Sequence, residues 1–167
     1  PIMAARAAAR MGAGYVTLAV PQAIAAVCQT HLLEIPVVGL PCDVEGVLTA
    51  DAAERVVKMA RSASAVLVGP GMRVSGGTVA VVSALLRSEA PLVIDADGLN
   101  CLSRLTEGRL FDFPELTRRD APLILTPHRG ELGRLTGRAE VPPTSLSEQL
   151  ECARQIVWSD GGSEIVV

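Results

Sequence analysis

Leu123-Ile124-Leu125-Thr126-Pro127-His128-Arg129-Gly130-Glu131 is a short apolar run that breaks into proline, histidine, glycine and glutamate. Apolar residues closed by a proline read as a buried strand followed by a turn, because proline has no N–H to add to a ladder. The turn carries an imidazole and a carboxylate at the strand's carboxyl end, the edge where open α/β sheets bind ligands. The same design precedes it twice. Leu92-Val93-Ile94 runs into Asp95-Ala96-Asp97-Gly98-Leu99-Asn100, and Ala65-Val66-Leu67-Val68 runs into Gly69-Pro70-Gly71. Strands that each end in glycine or polar groups point to one shared cleft.

Outward from these strands the chain alternates helix and strand. Helical patterns cover Ile2 to Met11, closed by Gly12-Ala13-Gly14, and Gln22 to Thr30; strands are expected over Tyr15 to Val20 and Pro36 to Leu40. Asp51-Ala52-Ala53-Glu54 has capping-box spacing and opens a helix with Ala53, Val56, Val57 and Ala60 on one face. Gly76-Gly77 precedes a helix that turns Val79, Val82, Leu85 and Leu86 inward, and Gly98 to Leu105 reads as a shorter one. Arg118-Arg119-Asp120 reads as a solvated bend, and Gly130 to Leu135 as a short helix. A second capping box, Ser145 to Glu148, opens a helix with Leu146, Leu150, Ala153 and Val157 on one stripe, and Gly161-Gly162 leads to a last strand. The pattern predicts an α/β fold, doubly wound, with a mainly parallel sheet and helices on both faces.

A chain of 167 residues fits one domain that buries about 70% of its unfolded surface. Hydrophobic residues make up 49% and aromatics 2%, so the core is aliphatic and the chain has little material for stacking bases. A net charge of −3 gives no general pull toward nucleic acid or anionic membrane. Cys28, Cys42, Cys101 and Cys152 form no C-x-x-C pair and read as reduced thiols of a cytoplasmic protein. No apolar stretch reaches the roughly 20 residues that span a bilayer. The chain opens at Pro1 inside a helical pattern and stops at Val167 inside a strand pattern, so residues 1–167 are expected to be part of a domain cut at both ends.

Gly12-Ala13-Gly14 follows a helix and precedes a strand, the reverse of a dinucleotide fingerprint, and reads as a helix cap and turn. Gly69-Pro70-Gly71 has the order strand, glycine loop, helix, but its spacing to Gly76 and Gly77 fits neither a P-loop nor G-x-G-x-x-G. It is either a tight turn or a place where a ligand nears free backbone amides. Asp95 and Asp97 repel each other at the mouth of a buried strand, which a ligand hydroxyl or Mg²⁺ would relieve. The bland alternative is a helix cap by Asp97 with Asp95 held by amides; Asn100 suits either. His128 stands between Pro127 and Gly130, where Glu131 can orient it or reach a hydrated metal. His31 has no polar cluster, and Arg6, Arg10, Arg55 and Arg61 read as solvated helix faces.

Ala4 to Thr17, Val68 to Met72, Asp95 to Asn100 and Leu125 to Glu131 together resemble the ADP/ATP-dependent NAD(P)H-hydrate dehydratases, a branch of the ribokinase-like superfamily. The stretches occur in family order and cover most of the chain from Ala4 to about Leu135. The resemblance implies metabolite repair: a nucleotide, ADP or ATP, phosphorylates the hydroxyl added to the nicotinamide ring, phosphate leaves, and NADH or NADPH returns. It implies that His128 and the Gly71 backbone contact the hydrated cofactor, that Asp95 and Asn100 shape the polar floor for it, and that Glu131 and Asp97 serve the Mg²⁺ shell. The family pattern has a further glycine after Gly-Pro-Gly, where this chain has Met72-Arg73. Family members also continue beyond this chain's last strand with a Gly-x-Gly-Asp segment that supplies the anion hole, much of the nucleotide site and the catalytic aspartate. On that resemblance the catalytic residue lies beyond Val167, and the 167 residues alone are expected to be inactive.

The competing readings are a vitamin or sugar kinase of the same superfamily, which releases a phosphorylated product, and a non-catalytic binding module that keeps the cleft. A redox Rossmann enzyme is disfavoured, because no G-x-G-x-x-G follows a strand. The expected partner is the small-molecule hydrate, not nucleic acid or membrane. Assembly stays open: the Ala-rich first helix can pack on a second copy or on its own sheet.

Overall fold

The computed structural model describes residues 1–110, 113, 116, 119–140, 142–157 and 165–167, with backbone only at 157, 165 and 166. The expected bend at Arg118, the Gly161-Gly162 lead-in and the side chain of Val157 lie outside the described residues. In chain order the elements are α1 (Ile2–Arg10), β1 (Leu18–Pro21), α2 (Gln22–His31), β2 (Val37–Leu40), α3 (Ala52–Ala60), β3 (Val66–Val68) and α4 (Gly76–Leu86). They continue with β4 (Leu92–Ile94), α5 (Asp97–Thr106), β5 (Leu123–Leu125), α6 (Arg129–Leu135), α7 (Leu146–Val157) and β6 (Ile165–Val166).

All pairings between these strands are parallel, as the alternation predicts. β1 pairs with β2, and β3, β4, β5 and β6 form a second sheet in that order. Each strand of the larger sheet is separated from the next by helix, and the helices lie side by side, α4 against α3 and α5, α5 against α6, α6 against α7. Val68, Leu92, Ile94, Leu123 and Leu125 turn toward this layer and join Val81, Val82, Leu85, Leu99, Leu102 and Leu135 in the main core. A smaller cluster of Ala5, Leu32 and Ile35 seats α1 and α2 beside β1 and β2. Cover is uneven. Leu67, Val93 and Ile124 form one row across the sheet by register, and Leu67 stays 49% and Ile124 39% exposed.

The local signals that built these elements are visible in the backbone. α1 ends in a Schellman arrangement: the Gly12 N–H bonds the Ala9 carbonyl, the Ala13 N–H bonds the Ala8 carbonyl, and Gly12 takes φ 96°. The box at Ser145 forms, with the Glu148 carboxylate accepting from the Ser145 and Thr144 amides. The box at Asp51 does not. Asp51 is already helical (φ −62°, ψ −20°) and makes no side-chain cap bond, and the Ala52 and Ala53 amides bond the Thr49 and Ala50 carbonyls. On α7 the buried face carries Cys152 and Ile156, while Leu146 and Leu150 of the expected stripe are exposed.

Arg119 is the largest departure. It is 5% exposed, not solvated. Its Nη1 donates to the carbonyls of Leu85 (3.2 Å), Leu86 (2.8 Å) and Ser88 (2.8 Å), and its Nη2 to that of Ala90. α4 has no basic residue in its last turn, so this guanidinium caps it from the far side of β4. Burial pushes the Arg119 pKa down, and the group stays cationic beside that set of carbonyls.

Candidate functional site

β3, β4 and β5 end at the same edge, and the turns that follow are fastened to one another. Gly69 (φ 127°) and Gly98 make the closest approach: a Cβ on Gly69 would lie 1.8 Å from the Asp95 carbonyl oxygen, and one on Gly98 would lie 3.0 Å from the Gly69 Cα. Two backbones meet here at a distance only glycine permits. The Gly98 N–H bonds the Asp95 carbonyl (2.9 Å), which closes a tight turn. Ala96 occupies that turn at φ 51°, ψ −121°, the geometry of a type II′ turn, where glycine is the usual residue. A non-glycine residue in such a conformation costs about 1–3 kcal/mol and persists only where its surroundings impose it.

The polar side chains tie the three turns together. Asp95 Oδ1 accepts from the Thr126 hydroxyl (2.9 Å), joining the β4 and β5 turns. Asp97 Oδ2 accepts the Arg73 N–H (2.9 Å), joining the β3 turn to α5. Asn100 Oδ1 accepts from Arg134 Nε (2.9 Å), joining α5 to α6. Asp95 and Asp97 each spend one carboxylate oxygen in these bonds.

The β5 turn organises His128. The residue is the N-cap of α6, and its Nδ1 accepts the Gly130 N–H (3.0 Å). That bond leaves the proton of the neutral ring on Nε2. Glu131 closes the capping box through Oε2, which accepts the His128 N–H (3.0 Å), while its Oε1 lies 3.3 Å from His128 Nε2. The imidazole side chain is 66% exposed and the glutamate side chain 7%, so the carboxylate is a buried post behind a solvent-facing ring. Gly71 is exposed on the β3 turn with φ 74°.

Six expected site residues, Gly71, Asp95, Asp97, Asn100, His128 and Glu131, therefore sit on one edge of the parallel sheet. A surface concavity of about 570 Å³ opens elsewhere, between β2 and α3, lined by Val38, Asp51, Glu54, Arg55, Lys58 and Met59. None of the rim residues lines it. Among the described residues, no three His, Cys, Asp or Glu side chains converge on a point, so the rim offers no all-protein metal cage.

The family model for NAD(P)H-hydrate dehydratase matches residues 1–166. The chain belongs to the NAD(P)H-hydrate dehydratase family. A bifunctional NAD(P)H-hydrate repair enzyme of Salinibacter ruber is 43% identical over 139 residues, 82% of this chain and 24% of that protein. The Moorella thermoacetica protein of the same name is 34% identical over 95% of this chain and 32% of its own length. Among solved structures, a ribokinase-like superfamily protein of Enterococcus faecalis superposes with TM-score 0.69 at 20% identity, over 99% of this chain and 51% of that one. The ADP/ATP-dependent NAD(P)H-hydrate dehydratase of Bacillus subtilis, co-crystallised with ATP and Mg²⁺, superposes with TM-score 0.62 at 22% identity, over 93% of this chain and 49% of that one. At these identities the superpositions show the shared ribokinase-like fold. The chain spans about a quarter to a third of those curated relatives and about half of the solved ones.

Within the family frame, the structure adds partners that the sequence reading missed. Thr126 was visible only as the residue after a strand, yet its hydroxyl fixes Asp95. Arg134 holds Asn100 from α6, and the Arg73 amide holds Asp97. Gly98 stood in a quoted motif without a reason; its reason is the contact with Gly69. The cysteines are free thiols, and burial raises the pKa of Cys101, whose Sγ lies 3.5 Å from Thr78 Oγ1. Among the described residues, no helix is long and apolar enough to cross a membrane.

Proposed function

We propose that the protein carrying this chain restores NADH or NADPH from the hydrated cofactor in a nucleotide-dependent dehydration. The added hydroxyl oxygen takes a phosphoryl group from ADP or ATP and releases its proton. Phosphate then leaves with the C–O electron pair, and a proton leaves the ring. The observation that carries this reading is the fastened rim itself, with His128 and the Asp95–Asn100 turn on adjacent strand ends, in a chain matched to the dehydratase family from residue 1 to 166.

His128 is the group best placed to touch the hydrate. Its side chain is 66% exposed, and its orientation is set by the Gly130 amide on Nδ1 and by Glu131 Oε1, 3.3 Å from Nε2. Gly71 is exposed and has no side chain of its own, with the Pro1 ring beside it (3.1 Å from where a Cβ would stand). Asp95 and Asn100 supply a polar floor held by Thr126 and Arg134. For Mg²⁺ the donor set suits an ion that arrives on nucleotide phosphates and keeps its waters, since such ions take one or two carboxylates. Asp97, with one oxygen still open, suits that role better than Glu131, both of whose oxygens face His128. Mg²⁺ there would neutralise charge on the transferring phosphoryl group.

The test is a repair assay on the protein carrying this chain, with hydrated NADPH, Mg²⁺ and ADP or ATP, following the return of dihydronicotinamide absorbance. Nucleotide-dependent recovery that falls at least tenfold in His128→Ala is the expected result. A well-folded protein that gives no recovery, or that releases a stable phosphorylated small molecule, overturns the dehydratase reading. Recovery unchanged in His128→Ala removes His128 from the site.

A further inference from the structure

Arg73 stands in the β3 turn as one of the non-glycine residues with positive φ (61°), two positions after Gly71. Holding a residue with a Cβ left-handed is costly, and the loop imposes it from both sides. Met72 and Val74 pack partly buried against the main core, and the Met72 N–H bonds the Gly69 carbonyl. The Arg73 N–H is anchored on Asp97 Oδ2. With its neighbours packed on the core and its own amide tied down, Arg73 is exposed. Among the described residues, no carboxylate lies within ion-pair distance of its guanidinium, although Asp97 holds the same residue's backbone. A strained, anchored loop thus carries an unpaired cation at the edge where Gly71, Asp95 and His128 sit.

We propose that Arg73 is an anion-binding residue of this site, taking a phosphate group of the ligand through a charge-assisted, forked contact. The planar guanidinium suits phosphate in a way that a lysine's point charge does not. The inference rests on the proposed function for the identity of the ligand, and on the geometry for the site. A phosphate could come from the hydrated dinucleotide or from the nucleotide co-substrate, and the two are separable by experiment.

The experiment is calorimetric titration of the protein carrying this chain with NADPH, NADH and Mg²⁺–ATP, at low and high salt, in wild type, Arg73→Gly and Arg73→Lys. Arg73→Gly suits the left-handed backbone and removes the side chain with its charge, and its thermal unfolding is measured alongside. At least one probe should bind tenfold or more weakly to Arg73→Gly, about 1.4 kcal/mol, with a smaller salt dependence; Arg73→Lys should recover part of the loss. A loss for NADPH greater than for NADH assigns the 2′-phosphate, equal losses for both assign the diphosphate, and a loss confined to ATP assigns the nucleotide. All three probes binding within twofold of wild type overturns the anion site, as does wild-type protein that binds none of them. Repair that proceeds without Arg73 dependence refutes this inference alone. Arg73-dependent binding without any repair refutes the proposed function and keeps the site.

Discussion

Replacing Arg119 with methionine should destabilise this protein more than any change to its other arginines. Methionine matches the stem of arginine and fills the same apolar passage beneath α4, so the variant isolates the guanidinium. What it strips away are donors to the carbonyls of Leu85, Leu86, Ser88 and Ala90. A hydrogen bond to a charged group contributes about 1.5–3 kcal/mol, and a buried acceptor left without a donor costs about 1–3 kcal/mol. Simple addition over these carbonyls overshoots, because Leu85 also receives the Ser88 amide and hydroxyl and because coupled contacts do not add. Two or three uncompensated carbonyls give about 3–5 kcal/mol, the range for breaking a buried charged contact by removing one partner. For a chain of this length that is a fall in Tm of about 6–20 °C. Urea unfolding followed by circular dichroism measures it, with Arg61→Met on an exposed helix end as the control. A loss below about 1 kcal/mol for Arg119→Met would refute the claim that this guanidinium caps α4.

Gly69→Ala should cost about 3–5 kcal/mol, since it adds a forbidden φ to a backbone collision with Asp95; a variant within about 1 kcal/mol of wild type in the same urea titration would show that the turns can separate. Ala96→Gly should stabilise by about 1 kcal/mol, because glycine relieves the type II′ strain and returns part of the gain as unfolded-chain entropy; calorimetry showing a lower Tm would contradict the strain. Glu148, fully exposed, has its pKa drawn from 4.5 down to about 2, first by the Ser145 amide and then by the Thr144 amide and hydroxyl. A depressed carboxylate contributes above its unfolded pKa and loses that contribution as pH falls through the folded one. Wild type should therefore lose α7 helicity between pH 4.5 and about 2 in a way that Glu148→Gln does not, read as the difference in far-ultraviolet circular dichroism; matching profiles would dismiss the cap.

The parallel sheet and the polar edge at its strand ends were legible because they rest on short-range signals. Runs such as Leu92-Val93-Ile94 and Leu123-Ile124-Leu125 are apolar throughout, as strands of a covered parallel sheet are, and each is closed by turn residues. The expected site residues fall on that edge for the same reason, since each stands within six residues of a strand end. What could not be read was anything that joins distant residues. Arg119 looks like half of a solvated Arg-Arg pair until α4 is seen to lack a cation of its own in its last turn. The Asp51 box has the right spacing, but Asp51 is already helical and the Ala52 and Ala53 amides bond the Thr49 and Ala50 carbonyls. The stripe of α7 was misassigned because Leu146 and Leu150 outscore Cys152 in hydrophobicity, whereas the side that faces α6 decides burial.

The rim's dependence on long-range contacts also bears on how its chemistry is held. Asp95 and Asp97 are two residues apart on a strained turn, and left alone they would repel and relax. Each is instead bound outward, Asp95 to Thr126 on the next strand's turn and Asp97 to Arg73 on the previous one. The contact between Gly69 and Gly98 keeps those flanking turns too close for the Asp95–Gly98 turn to open. Glu131 holds His128 as a buried acceptor behind an exposed ring, whereas Thr126 holds Asp95 as an exposed donor from the next turn. The polar groups of the rim are therefore positioned by contacts within the chain itself. The entropy cost of assembling these turns is met on folding, so a ligand of the proposed function would meet them with little left to reorder.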